Sequence, residues 1–140
     1  MTREQIVALF DRRRAAYERR DATALVADYS DDCVIRSPSG GLHRGREAAE
    51  RVLRAVFEAL DVRLHQDALI IQGDRAAQEV TIEGKDVGMF LGLPPTGRVF
   101  RVPGAFMYWL KDGMIVREDR FYDFTSLLIQ AGLLKAKAGI

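Results

Sequence analysis

The chain has 140 residues, of which 48% are apolar and 29% charged, as is typical of a globular protein large enough to bury a core. Its 21 lysine and arginine residues balance 20 acidic ones, so the net charge provides no attraction for nucleic acid or an anionic membrane. We therefore expect one domain over residues 1–140 and neither of these partners.

The cysteine and histidine content argues against a metal site. The single cysteine, Cys33, cannot form an internal disulfide, and His43 and His65 lack zinc-finger or HExxH spacing. The segment MTREQIVALFDRRR is too charged for a signal peptide, and no apolar run approaches membrane-spanning length. These features predict a cytoplasmic protein without a bound metal.

The first half of the chain predicts helices. Thr2 and Gln5 have the spacing of a capping box at the start of a first helix. Asp21 predicts the cap of a second, shorter helix, and a short strand, CVIRS, follows and stops at Pro38. In GREAAERVLRAVFEAL the apolar residues recur at i, i+3, i+4, i+7, i+8 and i+11, a broad face that is typical of a helix packed on a sheet.

From Val62 onward the pattern predicts four strands, VRLHQDALII, RAAQEVTIEGKD, RVFRVPGAFMYWL and MIVREDRFY. Turns within IQGDRA and LKDGMI form hairpins, and the loop VGMFLGLPPTG joins the middle pair. Helices followed by antiparallel strands indicate an α+β fold, with N-terminal helices packed on one face of a curved sheet. Pro103 and Gly104, inside a strand, predict a bulge or bend that helps the sheet curl into a cone.

Asp123 stands where the last strand passes into the helical segment FTSLLIQAGLL, and two interpretations are open. It caps that helix, or it faces a pocket, where a carboxylate among apolar side chains exchanges a proton with carbon acids near neutral pH. Side chains alternate along a strand, so Asp119, Phe121 and Asp123 share one face while Arg120 and Tyr122 share the other. If Phe121 points into the pocket, so does Asp123.

Three segments, GKDVGMFLGLPPTGRVF, KDGMIVREDRFYD and LLIQAGLL, resemble the SnoaL-like polyketide cyclases of the nuclear transport factor two-like superfamily. In that family a glycine-rich loop ending in P-x-T-G-R precedes a strand, a D-G-x-I hairpin, a terminal Y-x-D or Y-D and a helix ending near Q-x-G. The segments DYSDDCV and HRGRE extend the resemblance over nearly the whole chain. It implies a cone whose open mouth leads to an apolar pocket, a homodimer, no cofactor, and Asp123 at the position of the cyclases' acid/base carboxylate.

The sequence departs from two other enzyme groups of this fold. Ketosteroid isomerases carry their base in an acidic dipeptide before Pro-x-Gly, where this chain has Ser37. Limonene-type epoxide hydrolases need an Arg-x-Asp where this chain has Val80 and Ile82. An isomerase or epoxide hydrolase therefore ranks below a cyclase. A further alternative is a non-catalytic binding module that dimerises through an exposed sheet face carrying Arg120 and Tyr122.

We therefore predict a cofactor-independent enzyme that binds a mostly apolar small molecule and transfers a proton, most like an aldol-type polyketide cyclase. Asp123 would remove a proton next to a carbonyl, the enolate would attack a second carbonyl of the same molecule, and Asp123 would return the proton. Asp86, which stands where many cyclases carry histidine, is the expected second carboxylate. The residues expected to line the substrate pocket are Tyr17, Tyr29, Met89, Phe90, Trp109, Asp119 and Phe121, with Met89 and Phe90 in an apolar lid.

Overall fold

A computed structural model describes residues 1–135, which contain four helices and six strands. The helices are α1 (Arg3–Arg19), α2 (Ala22–Val26), α3 (Arg46–Ala59) and α4 (Phe124–Gln130). The strands are β1 (Tyr29–Ser37), β2 (Gly41–Arg44), β3 (Leu60–Gln72), β4 (Arg75–Asp86), β5 (Val99–Lys111) and β6 (Met114–Tyr122), with a 3-10 turn at Phe90–Gly92 between β4 and β5. The predicted α+β class is confirmed. No helix within these residues is long and apolar enough to cross a membrane.

The helix ends follow from local sequence. Thr2 and Gln5 form the predicted capping box, in which the Thr2 hydroxyl accepts from the Gln5 amide at 3.1 Å and the Gln5 side chain accepts from the Thr2 amide at 2.8 Å. Asp21 caps α2 by accepting from the Ala24 amide at 3.0 Å. Gly45, with a φ of 90°, precedes the amphipathic helix α3. Both predicted caps are therefore confirmed.

The six strands form one curved sheet in the order β2-β1-β6-β5-β4-β3. All neighbouring pairs are antiparallel except β1 with β6, which run parallel. Strand β2 was not predicted because its four residues, GLHR, show no apolar alternation. The parallel pairing matters for function because it brings an early part of the chain beside the last strand.

Of the bulge or bend predicted at Pro103 and Gly104, the bulge is wrong, because the pairing of β4 with β5 continues in register through both residues. The glycine instead allows a close approach of strands. A Cβ at Gly104 would lie 3.0 Å from the Phe121 carbonyl oxygen and 3.2 Å from a Val80 methyl group. The register shifts occur elsewhere, in β1, in β3 and near the turn between β5 and β6.

Side chains alternate along β6 as expected, but the face that points inward is the opposite of the predicted one. Glu118 is fully buried and Arg120 faces the core, whereas Phe121 is 55% exposed on the outer face. Two charged side chains can lie on the buried inner face because they form a salt bridge, with 2.9 Å between Arg120 Nε and Glu118 Oε2. A large apolar side chain therefore does not mark the inner face of this strand.

Candidate active site

A small cavity lies between α3, α4 and the inner face of the sheet, with a volume of ≈ 90 Å³. At roughly 30 Å³ per water molecule it has room for a small ligand, and a larger one must displace part of the wall. Five lining residues are polar, namely Tyr17, Ser37, Ser39, Arg120 and Tyr122. The other lining residues are apolar and include Val52, Val56, Phe57, Leu60, Ile82, Phe90, Phe100, Phe106, Phe124 and Leu127.

The shape of the wall depends on a glycine in β4. A Cβ at Gly84 would lie 2.5 Å from Cζ of Phe100, so the ring of Phe100 rests directly on the glycine backbone. Any larger residue at this position would push the ring away from the sheet, into the space that the cavity occupies. Gly84 therefore helps to keep the cavity open.

Arg120 forms the cationic end of the cavity. Its Nε donates to Glu118 Oε2 at 2.9 Å, and its Nη2 donates to the hydroxyl of Tyr17 at 3.3 Å. Its guanidinium carbon lies 5.1 Å from the ring centre of Phe106. The side chain is only 16% exposed, so the cation is held in an apolar environment where its field is weakly screened.

A buried network holds Arg120 from behind. Glu118 also accepts from the hydroxyl of Tyr29 at 2.9 Å and from Arg13 Nη2 at 3.4 Å. Arg13 donates in addition to the Leu25 carbonyl and to the Tyr29 hydroxyl, each at 3.0 Å. The guanidinium at the cavity is therefore fixed by groups from α1, β1 and β6.

The network keeps its charges ionised. Burial by itself would raise the pKa of Glu118, but the positive charges of Arg120 and Arg13 and the hydrogen bond from Tyr29 outweigh it and hold that pKa below its usual range. Burial would likewise lower the pKa of Arg120, yet the charge of Glu118 keeps it well above the ordinary value. Burial raises the pKa of the Tyr29 hydroxyl, which therefore stays neutral.

A second polar group in the lining consists of hydroxyls. The Tyr122 hydroxyl donates to Ser39 Oγ at 2.9 Å, and Ser39 Oγ lies 3.5 Å from Ser37 Oγ. Ser37 Oγ accepts from the Gly40 amide at 3.1 Å. The Tyr122 ring is packed edge-on against Phe124, with 6.2 Å between ring centres. The Tyr122 hydroxyl is thus a positioned proton donor at the apolar cavity.

Three of the predicted site residues lie at the cavity or directly behind it. Tyr17 and Phe90 line it, while Tyr29 lies behind Arg120 in the buried network. Asp86 is fully buried on the inner face of β4 but outside the lining; its Oδ2 accepts from the amide and hydroxyl of Thr96 at 3.1 and 3.2 Å. These hydrogen bonds from Thr96 hold the loop between β4 and β5 against the end of β4. The catalytic role of Asp86 stays a prediction.

The expectation that Asp123 faces the pocket is wrong. Its side chain is exposed and caps α4 by accepting from the Ser126 amide at 2.9 Å. Because side chains alternate along a strand, Phe121 lies on the same outer face as Asp123 and is also outside the cavity. The inner positions belong to Arg120 and Tyr122, so these two also do not form an exposed sheet face.

Three more residues that were predicted to line the pocket, Asp119, Trp109 and Met89, also lie outside the cavity. Asp119 forms a salt bridge with Arg117 on the outer face, with 2.7 Å between Nη2 and Oδ2. Trp109 lies on that face too, stacked between Arg75 and Arg117, whose guanidinium carbons are 3.8 and 4.4 Å from its ring centre. Met89 is 61% exposed beside the buried Phe90. None of the three lines the cavity.

Sequence reasoning missed the buried pair Glu118 and Arg120 and their partner Arg13. A usable indication was present, because residues two apart on a strand share a face and opposite charges at that spacing can neutralise each other. Within residues 1–135, no three His, Cys, Asp or Glu side chains are grouped so as to hold a metal ion. What the site offers is hydrogen-bond donors and one cation in apolar surroundings.

The curved six-stranded sheet with helices on its inner face has the α+β fold of nuclear transport factor two-like and ketosteroid isomerase-like proteins. Residues 9–118 match the model of the SnoaL-like domain, and the chain therefore belongs to the SnoaL-like domain family. The resemblance found in the sequence is confirmed. A search of curated protein sequences found no significant match.

Solved structures show the same fold. TsrD from Streptomyces laurentii is 27% identical with a TM-score of 0.84, and the alignment covers 96% of this chain and 99% of TsrD. A proposed polyketide cyclase from Xanthomonas campestris pv. campestris is 23% identical with a TM-score of 0.85, covering 92% and 98% of the two chains. A protein of ketosteroid isomerase-like fold from Catenulispora acidiphila, in complex with trimethylamine, is 20% identical with a TM-score of 0.76, covering 90% and 93%.

Proposed function

We propose that the protein is a cofactor-independent enzyme that forms an enolate from a small, mostly apolar carbonyl compound, most like an aldol-type cyclase. One observation carries this proposal. A guanidinium, Arg120, is held by the fully buried Glu118 at the end of an apolar cavity, beside the hydroxyl of Tyr17. Membership of the SnoaL-like family, and the likeness in fold to a proposed polyketide cyclase, support the same reaction class.

The first step uses the cationic end. A substrate carbonyl oxygen accepts hydrogen bonds from Arg120 and from the Tyr17 hydroxyl. When the neighbouring C–H bond breaks, negative charge moves onto that oxygen, where fixed donors in a weakly polar cavity stabilise it without reorganising. Among the described residues no carboxylate lines the cavity, so the base in this step is a hydroxide ion from solvent, which takes the proton and becomes water.

The second step uses the hydroxyl group of the lining. The enolate carbon attacks a second carbonyl of the same molecule, which forms a C–C bond and leaves an alkoxide. Tyr122 gives its proton to that alkoxide and regains one through Ser39, to which it is hydrogen-bonded. The proton released in the first step balances the one taken up in the second, so the reaction is an isomerisation overall. Folding the chain inside the cavity brings the two carbons together.

Deuterium exchange tests the first step. Small ketones and keto esters would be incubated with the protein in D₂O, and the loss of the proton next to the carbonyl followed by NMR. We expect faster exchange than in buffer alone, and a rate lower by roughly 10²–10³ in Arg120→Met, the range found when one donor to an oxyanion is removed. Tyr17→Phe keeps the ring and removes only the hydroxyl, so it should also slow exchange.

The same assay separates the two steps. Tyr122→Phe should leave exchange intact and reduce cyclisation of a diketone, because its proton is needed only for the alkoxide. A wild-type protein that does not accelerate exchange for any member of the panel would favour a non-catalytic ligand-binding module. The small cavity volume and the absence of a lining carboxylate within residues 1–135 are the observations that favour that rival.

A further inference from the structure

We infer that the cavity takes its ligand as a monoanion, with the charge on an oxygen atom against Arg120. The inference deepens the proposed function, but it concerns the charge of the bound ligand and not the reaction. Within residues 1–135, Arg13 and Arg120 are cations and Glu118 is the only anion hydrogen-bonded to either, so the three groups carry one uncompensated positive charge.

The surrounding groups do not supply the missing negative charge. Arg13 is 1% exposed and Glu118 is fully buried, so bulk water screens neither of them effectively. The other side chains that the described residues place in this hydrogen-bonded region are hydroxyls and an amide, those of Tyr17, Tyr29, Tyr108 and Gln78. Burial holds the pKa of Tyr29 and of Tyr108 above the ordinary value, and both therefore remain neutral.

The excess charge is presented to the cavity through Arg120. A guanidinium has five N–H groups, and within the described residues Arg120 uses its Nε with Glu118 and its Nη2 with Tyr17. Arg13, in contrast, lies away from the lining and is engaged by Leu25, Tyr29 and Glu118. The donors of Arg120 that remain are thus available to a ligand.

An isolated buried charge is costly, whereas a charge that meets a complementary partner is not. The partner that fits is an oxygen anion on a small apolar body, because Arg120 recognises paired oxygens and the walls are rings such as Phe57 and Phe100. Carboxylates and enolates share this chemistry. An enolate formed in the cavity would be stabilised by the same contact with Arg120.

Isosteric pairs of ligands test the charge directly. Butyrate would be compared with butyramide, and benzoate with benzamide, by calorimetric titration at pH 7, where ordinary carboxylic acids are ionised. We expect the anion of the pair that fits to bind roughly ten- to a hundredfold more tightly than its amide, the range that charged hydrogen bonds supply. Equal affinity within both pairs, or no binding of any of the four at millimolar concentration, would overturn the inference.

A matched pair of variants assigns the preference to the cavity. Arg120→Met should abolish it, whereas Arg101→Met removes the same charge from an arginine that is 65% exposed and should leave it unchanged. A preference for anions that survives in Arg120→Met, or disappears in Arg101→Met, would contradict the assignment. The wild-type comparison remains decisive if Arg120→Met does not fold.

The binding experiment and the deuterium-exchange experiment can fail independently of each other. Anion preference without accelerated deuterium exchange would support the inference and reject the enzyme. Accelerated exchange of neutral ketones, with equal affinity for carboxylates and amides, would support the enzyme and reject the inference. A crystal soaked with benzoate adds a geometric criterion, because the carboxylate should lie within hydrogen-bond distance of Arg120.

Discussion

Replacing Glu118 with glutamine should be among the most destabilising single changes in this protein. The carboxylate is fully buried and accepts hydrogen bonds from Arg13, Tyr29 and Arg120. Glutamine keeps the size of the side chain and one acceptor oxygen, but it removes the charge. Two guanidinium groups then share a buried region without a counter-ion.

The expected loss is about 3–5 kcal/mol, the cost of breaking a buried ion pair by removing one partner. Since domains of this size have a free energy of unfolding of roughly 5–15 kcal/mol, this is a large share of the total. With a urea dependence of about 2 kcal/mol per molar, the unfolding midpoint would fall by roughly 1.5–2.5 M. Equilibrium urea unfolding followed by circular dichroism measures it.

Asp119→Asn is a suitable control because it changes the neighbouring carboxylate on the opposite face. Its partner Arg117 has a side chain that is 41% exposed and stays hydrated when the salt bridge is lost. The midpoint should therefore move much less than in Glu118→Gln. If the two variants unfold at similar urea concentrations, the buried ion pairs of Glu118 do not make the expected contribution to stability.

The stability difference should also depend on pH. The pKa of Glu118 is lower in the folded protein than in the unfolded chain, mainly because the charges of Arg120 and Arg13 overcome its burial. Its ionised form therefore contributes stability above the unfolded pKa of about 4.3, and that contribution is lost as the pH falls further toward the folded pKa. Wild type and Glu118→Gln should thus converge in stability below about pH 4. A difference that stays constant well below that pH, or that already shrinks with falling pH above about pH 5, would contradict the sign of the shift.

Asp123→Asn should keep any turnover of the wild type, because asparagine caps a helix as well as aspartate does. Asp123→Ala should lower the free energy of urea unfolding by about 1 kcal/mol. Loss of turnover in Asp123→Asn would show that the carboxylate takes part in the reaction. Phe90→Ala removes part of the cavity wall and should raise the affinity for two-ring ligands relative to one-ring ligands, as measured by calorimetric titration. An unchanged ratio of the two affinities would show that Phe90 does not limit ligand size. A homodimer that forms through the outer sheet face would cover Trp109, which lies between Arg75 and Arg117. The fluorescence of Trp109 should therefore change on dilution together with the sedimentation coefficient. A monomer at every concentration would refute the predicted homodimer.

The parts of the fold that were predicted correctly depend on short-range physics. The capping box at Thr2, the cap at Asp21 and the glycine turns of the hairpins are set by residues within three or four positions of one another. The apolar period of α3 is equally local. Strand β2 was missed because its pairing with β1 depends on a neighbour and not on its own four residues.

The site was harder to predict because strand alternation gives two faces without saying which of them is buried. In REDR, Arg117 and Asp119 form an ion pair on one face, and Glu118 and Arg120 form one on the other, so the charge pattern fits either choice. Phe121 favoured the wrong choice, since it lies at the exposed end of β6.

The contacts that decide between the faces are distant in sequence. Glu118 receives its hydrogen bonds from Tyr29 and Arg13, which precede it by 89 and 105 residues. Tyr29 reaches it because β1 and β6 pair in parallel, and Arg13 reaches it because it is fully buried in α1 on the inner side of the sheet. A buried carboxylate without these two donors would cost several kcal/mol, so the inner face of β6 is stable only when the N-terminal elements are in place. The face of the last strand, and with it the identity of the cavity residues, is therefore a property of the assembled fold and not of β6 alone.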